Sequence, residues 1–213
     1  VNNYKKDSEK PDCIVPFSGG RDSTFTLHIV KKVLGLNPIA LTYDWGMVTD
    51  LARRNIARVC GKLGVENIIV AADLQKKRQY IRKNVSAWLQ RPSLGMIPLF
   101  MAGDKYFYYH TNELKKRTGI KLNIWGINNL ETTHFKVGFA GIRPHFDKKL
   151  IFSLSIGNKF GLFYHIAENF LKNPSYLNSS LFDSLGSFFV RYRYPHKHYH
   201  HFFDYYPWNE KEI

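Results

Sequence analysis

Cys13-Ile-Val-Pro-Phe-Ser18-Gly19-Gly20-Arg21-Asp22-Ser23-Thr24 is the stretch that decides how the chain folds. A short apolar run ends in a hydroxyl–glycine–glycine turn. Phe25, Leu27, Ile29, Val30, Val33 and Leu34 then supply the apolar positions of a helix from Asp22 to Leu34, with Gly35 as its stop. A strand that breaks into glycines directly before a helix forms an anion hole. The glycines let the backbone approach closely, and unpaired N–H groups at the positive end of the helix dipole face the ligand. Ser18, Ser23 and Thr24 add hydroxyl donors suited to phosphate oxygens, and Asp22 is placed to hold a divalent cation. Such an element calls for a polyphosphate.

Spacing narrows the class. The chain has no Walker-type Gly-x-x-x-x-Gly-Lys-Ser/Thr run, and Gly19-Gly20 lacks the third glycine of the dinucleotide fingerprint. Taken alone, the segment also reads as a serine–glycine turn before an Asp/Ser-rich helix start. In its full order, Ser-Gly-Gly-Arg-Asp-Ser-Thr resembles the PP-loop of the N-type ATP pyrophosphatases. That resemblance implies an enzyme that splits ATP into AMP and pyrophosphate.

Outward from this loop, short β-branched strands alternate with amphipathic helices. Pro38 to Tyr43 reads as the second strand, Val48 to Leu63 as a helix closed by Gly64, and Asn67 to Ala71 as the third strand. A basic helix from about Leu74 to Leu89 follows, then a helical region from roughly Ile97 to Arg117 ending at Gly119, then Lys121 to Trp125 as the fourth strand. The expected fold is α/β: a Rossmann-like, doubly wound parallel sheet with helices on both faces, similar to the adenine nucleotide alpha hydrolases. Residues 1–143 are expected to form the ATP-binding domain. Residues 144–213 are expected to form a mostly helical, aromatic-rich C-terminal segment, with helices over Lys159–Leu171 and Tyr176–Val190.

In such sheets ligands lie at the carboxyl ends of the strands. Two further strand ends therefore supply candidates. Tyr43-Asp44-Trp45 could meet an adenine or ribose, with Asp44 equally readable as a solvated turn residue. Gly126 and Asn128 follow the fourth strand, and Glu131 stands where it could share a magnesium ion with Asp22 or serve as a helix-start carboxylate.

Composition sets the outer bounds. The 213 residues are 44% hydrophobic and 23% charged, ordinary for a globular protein with a buried core. No apolar run is long enough to cross a bilayer, and Val1-Asn-Asn-Tyr-Lys-Lys lacks the apolar stretch of a signal peptide, so no membrane insertion is expected. Two cysteines, Cys13 in a predicted strand and Cys60 in a predicted helix, argue against a disulfide framework and for a cytoplasmic setting. The net charge of +14 suits a polyanionic partner, either nucleic acid or a nucleotide-linked anionic sugar. Its basic residues are spread over Lys31-Lys32, Arg53-Arg54, Lys76-Lys77-Arg78, Arg82-Lys83 and Lys115-Lys116-Arg117, mostly on faces a helix gives to solvent.

Further blocks extend the resemblance. Leu94 to Lys105, Gly126 to Lys136, Gly138 to Ile142, Asn173 to Asn178 and Phe203 to Glu210 look like the N-acetyl sugar amidotransferases of bacterial surface-polysaccharide (lipopolysaccharide) synthesis. This implies ATP activation of the N-acetyl group of a nucleotide-linked sugar, with ammonia from a separate glutaminase subunit converting it to an acetamidino group. The chemistry has its own logic. An amide oxygen is a poor leaving group, so its attack on the α-phosphorus, with loss of pyrophosphate, prepares the carbon for ammonia. Lys105, Lys136 and Arg143 are candidates to stabilise the α-phosphate or the sugar's anion, or are solvated cations. That family usually carries a cysteine-rich segment ahead of the loop and continues past this C-terminus, so the chain is expected to be truncated at both ends.

His196, His198, His200 and His201 lie within an aromatic and basic stretch. They invite metal binding or base stacking, but the spacing matches no usual helical metal pair. The segment is expected instead to pack against a missing C-terminal part or to form a homo-oligomer interface. Two other functions remain: a tRNA-modifying PP-loop enzyme of thiolase or lysidine synthase type, and a non-catalytic nucleotide-binding subunit. Thiolation generally uses a cysteine pair, and Cys13 and Cys60 sit in the wrong elements for one.

Overall fold

A computed structural model describes residues 10–97, 102–128, 135–143, 155–193, 199–209 and 211. They fall into two compact units, one drawn from Val1–Leu74, Tyr106–Asn129 and Val190–Ile213, the other from Gln75–Lys105 and Leu130–Phe189. Among the described residues no helix is long and apolar enough to cross a membrane.

The first unit is built on five parallel strands: β1 (Cys13–Pro16), β2 (Pro38–Asp44), β3 (Glu66–Ala71), β4 (Leu122–Trp125) and β5 (Tyr199–His201). Their order is β3-β2-β1-β4-β5, with Cys13 opposite Pro38 on one side of β1 and Leu122 on the other. The chain winds outward from β1 to β3 and then restarts at β4 on the opposite side, so the winding reverses between β1 and β4. In open parallel sheets that reversal opens a crevice at the carboxyl ends of the two strands.

Alternation along the strands divides the core between two faces. Cys13, Val15 and Phe17 pack with Leu27 and Val30, which follow β1, and with Ile56 and Cys60 of α2 (Asp50–Leu63). Ile14, Ile39 and Leu41 meet Leu114 of α4 (Tyr106–Thr118) and Ile120 on the other face. The sheet is thus covered on both sides, the α/β Rossmann-like arrangement expected from the sequence. Thr49 caps α2 by accepting the Ala52 N–H at 3.2 Å, a contact worth about 1 kcal/mol. Gly64 ends that helix in the left-handed region, as a C-terminal glycine does.

The structure refines several of the expected elements. The first helix, α1, is regular only over Arg21–His28 and widens into a π turn over Ile29–Val33, closed by Leu34 N–H to Ile29 C=O at 2.9 Å. In the helical region expected from about Ile97, Ile97 is helical, residues 98–101 lie outside the described residues, and a 3₁₀ turn over Ala102–Lys105 runs into α4 at Tyr106. The C-terminal segment is mostly helical, as expected, and adds one short strand to the sheet. Tyr199–His201 pairs with β4 (Asn123 opposite Tyr199, Trp125 opposite His201), and the Phe202 and Phe203 that follow enter the core beside Leu27 and Val30. Phe202 and Phe203 thus bury themselves against their own sheet. His196 and His198 lie outside the described residues.

The second unit contains α3 (Leu74–Gln90), α5 (Ile156–Lys172) and most of α6 (Leu181–Arg193). Ala87, Met96 and Tyr176 form its small buried core. Its polar packing is extensive. Asn173 Nδ2 donates to Ala87 C=O at 2.6 Å, and Lys77 Nζ reaches both oxygens of Asp183 at 2.5 and 2.6 Å. The helix expected from Tyr176 starts only at Leu181, because the Asn173 side chain turns Pro174–Tyr176 into a 3₁₀ turn and Asn178 accepts the Ser180 N–H at 2.9 Å.

Candidate active site

The turn leaving β1 is held from both sides. Thr42 Oγ1 donates to Phe17 C=O at 2.8 Å, and Asn55 Nδ2 of α2 donates to Gly19 C=O at 3.0 Å. Gly19 has φ +74°, and a Cβ there would lie 2.8 Å from both Ala52 C=O and Ile56 Cγ1. Only glycine satisfies that conformation and that closeness together. Gly20 is the extended N-cap of α1 and brings no capping side chain. Ser18 Oγ and Ser23 Oγ lie 3.1 Å apart, and Ser23 Oγ also donates to Gly20 C=O at 3.1 Å. Thr24 Oγ1 is buried without a hydrogen-bond partner. The first-turn N–H groups, which no residue of α1 can satisfy, suit phosphate oxygens.

Asp22 lies in that first turn. Its Oδ2 accepts from Asn128 Nδ2 at 3.0 Å, and its Oδ1 accepts from Trp208 Nε1 at 3.3 Å. Arg21 Nε is 3.6 Å from Oδ1, and its guanidinium carbon lies 5.3 Å from the Trp208 ring centroid. Gly126 makes the juncture with β4 feasible, since a Cβ there would be 2.6 Å from Thr26 Oγ1 and 3.1 Å from Asp22 C=O. The loop after β1 and the loop after β4 therefore converge at the place where the sheet's winding reverses. Ser18, Gly19, Gly20, Arg21, Asp22, Ser23, Thr24, Gly126 and Asn128 are brought together. This donor set fits a nucleotide triphosphate with its magnesium ion: hydroxyls and N–H groups for the phosphates, and an oriented carboxylate for the cation.

At the end of β2 the arrangement differs. Asp44 is buried and bound to Arg53, with Nη2 at 2.7 Å and Nε at 3.2 Å, while its other oxygen accepts the Gly46 N–H at 3.0 Å. Tyr43 lies against His110 of α4, the ring centroids 4.9 Å apart, and Trp45 is half-buried. Burial pushes the His110 imidazole below its ordinary pKa.

Lys105 and Arg143 belong to the second unit, the former 3.2 Å from Asp104 and the latter exposed. Glu131 and the side chain of Lys136 lie outside the described residues. Sequence reasoning missed Trp208, Asn55 and Arg53 as parts of these strand-end clusters. Trp208 stood within a quoted block, Phe203 to Glu210, but nothing in its local sequence pointed 186 positions back to Asp22.

Cys13 is fully buried, and desolvation, followed by the Asp12 charge, pushes its thiol up to about 12. Burial also raises Cys60. Both thiols are free and neither is a ready thiolate near neutral pH.

No protein-family model matches the chain. In a 176-residue alignment covering 76% of this chain and 69% of the relative, it is 23% identical to a 7-cyano-7-deazaguanine synthase of Leptospira biflexa serovar Patoc. Over 71 residues, 33% of this chain, it is 34% identical to an uncharacterised protein of Methanocaldococcus jannaschii, of whose length the chain spans about a quarter (26%). It is a distant relative of both.

Proposed function

We propose that the chain is an ATP-dependent enzyme that cleaves ATP between its α- and β-phosphates to activate a carbonyl oxygen of a second substrate. The observation that carries this reading is the convergence of Ser18–Thr24 and Asn128 on Asp22 at the crevice between β1 and β4. The N–H groups and hydroxyls of the loop would hold the outer phosphates, and Asp22 would hold magnesium, which would supply charge neutralisation during adenylyl transfer and loss of pyrophosphate. Similarity to a protein named as a synthase agrees with a synthetic rather than a hydrolytic outcome.

The finer reading is an amidotransferase acting on the N-acetyl group of a nucleotide-linked sugar, with ammonia supplied by a glutaminase partner. It rests on the resemblance of the downstream blocks. In that reading Lys105, Lys136 and Arg143 contact the α-phosphate or the sugar's anion, Glu131 is a second metal carboxylate, and Tyr43, Asp44 and Trp45 border the nucleoside. The burial of Cys13 and Cys60 weighs against a tRNA thiolase.

The test is pyrophosphate release from magnesium–ATP with ammonium, run against nucleotide-linked N-acetyl sugars and against bulk tRNA. Release that requires one of the sugars is the expected result. Release that requires tRNA transfers the chain to the RNA-modifying class. ATP binding without release under any condition makes it a nucleotide-binding subunit.

A further inference from the structure

We infer that Trp208 is a positioning residue of the nucleotide site: the C-terminal tail returns to α1, where its indole N–H holds Asp22 in the orientation that binds a divalent cation. This rests on the reading of Ser18–Thr24 as a magnesium–nucleotide site and assigns to that site a residue from the far end of the chain.

The path of the tail explains how Trp208 arrives there. β5 pairs with β4, and the chain then turns through Phe202–Asp204 with Phe202 and Phe203 buried. Phe202 meets Phe25 of α1 edge-on, with centroids 6.0 Å apart. Tyr206 stacks on Phe202 at 5.5 Å and also touches Phe25 at 5.5 Å. Phe25 follows Asp22 by three positions, so both lie on one side of α1. The aromatic clamp therefore fixes the tail beside the helix's first turn, and Pro207 leads Trp208 onto Asp22.

The polar geometry gives the contact its meaning. Trp208 Nε1–H donates to Oδ1 and Asn128 Nδ2–H donates to Oδ2, so each carboxylate oxygen receives one neutral donor and keeps a lone pair. Donors from two separate segments fix the plane of the carboxylate and neither neutralises it; Arg21 Nε pairs with Oδ1 only at the longer distance of 3.6 Å. Outer hydrogen bonds of this kind orient metal-binding carboxylates, and losing one typically costs 10- to 100-fold in metal affinity. Trp208 is 38% exposed, so the indole is not held in place by full burial. Arg21 lies over the indole face and steadies the ring.

The experiment measures binding of an α,β-methylene ATP analogue to the full chain by calorimetry, once with magnesium and once with EDTA, in the parent, Trp208→Phe and Trp208→Ala. The phenylalanine variant keeps an aromatic face for Arg21 and removes only the N–H donor. It is expected to lose about tenfold in affinity with magnesium and nothing in EDTA. The alanine variant is expected to lose at least as much with magnesium, and the milder phenylalanine variant decides the matter if alanine unfolds the tail. Equal losses in both media, or no loss with magnesium, overturn the inference and leave Trp208 a packing residue. Tighter magnesium-dependent binding by the phenylalanine variant also overturns it, making the indole a competitor of the metal. Absence of binding by the parent in both media overturns the nucleotide reading itself, and this inference with it.

Discussion

Asp22, in the first turn of α1, and Asp44, the last residue of β2, stand at the carboxyl ends of adjacent strands, and they differ in how tightly their charge is paired. Asp44 faces a guanidinium: Arg53 places two nitrogens on one carboxylate oxygen, the nearer at 2.7 Å, and Gly46 N–H closes the other. Its charge is neutralised within the fold, and the pair shapes the turn after β2. Asp22 takes two neutral hydrogen-bond donors and a longer ion pair with the half-exposed Arg21, whose Nε lies 3.6 Å from Oδ1. One carboxylate is consumed by structure. The other is oriented by neutral donors and only loosely ion-paired, and on the proposed reading it keeps charge to offer a cation. A single helix serves both, since α2 presents Asn55 and Ile56 to Gly19 and Arg53 to Asp44.

The contrast can be broken most sharply at Asp22. Asp22→Ala is expected to lower ATP-dependent pyrophosphate release at least about 100-fold, with a thermal midpoint close to the parent's. Retained turnover would remove the functional half of the comparison. Gly19→Ala should act on the shared scaffold instead, destabilising by about 2–4 kcal/mol in urea titration. Its positive φ and its closeness to Ala52 C=O both penalise a Cβ. Asp44→Asn is expected to cost about 1–3 kcal/mol, with Arg53→Met largely non-additive to it in a double-mutant cycle. If Asp44→Asn left stability intact and abolished nucleotide binding, the two aspartates would be alike after all, and Asp44 would join the site.

The smallest effect is expected at His110, which packs on Tyr43 beside Asp44. Burial lowers its pKa below 6.5, so the fold favours the neutral ring. The resulting stabilisation is complete above 6.5 and is lost as the pH falls through the lower folded value. Unfolding midpoints of His110→Gln should therefore fall less steeply than the parent's on acidification below 6.5. Parallel slopes would show that the imidazole is not the group responsible.

What the sequence revealed, and what it hid, follows the range of the interactions. The loop at Ser18–Thr24 was legible because its residues are contiguous, and the strand–helix order was legible because burial on both faces leaves apolar runs between glycine stops such as Gly64 and Gly119. Asn128 could be proposed because it directly follows a strand. β5 was illegible. Its three residues, Tyr-His-His, carry no alternating or apolar signature, and their place beside β4 depends on pairing more than 70 positions away in the chain. Trp208 was hidden for the same reason, since its position depends on Phe202 and Tyr206 docking on Phe25. The Asp44–Arg53 pair spans nine positions across a turn, and its geometry emerged only once α2 had been set against β2.

The most direct test is a crystal structure of the chain with magnesium and the α,β-methylene ATP analogue. The triphosphate should lie along Ser18–Thr24, with the metal against Asp22 and the Asn128 and Trp208 donors still on its carboxylate. A triphosphate bound elsewhere, or a metal held by Asp44 with its Arg53 pair broken, would contradict the division of roles between these two aspartates.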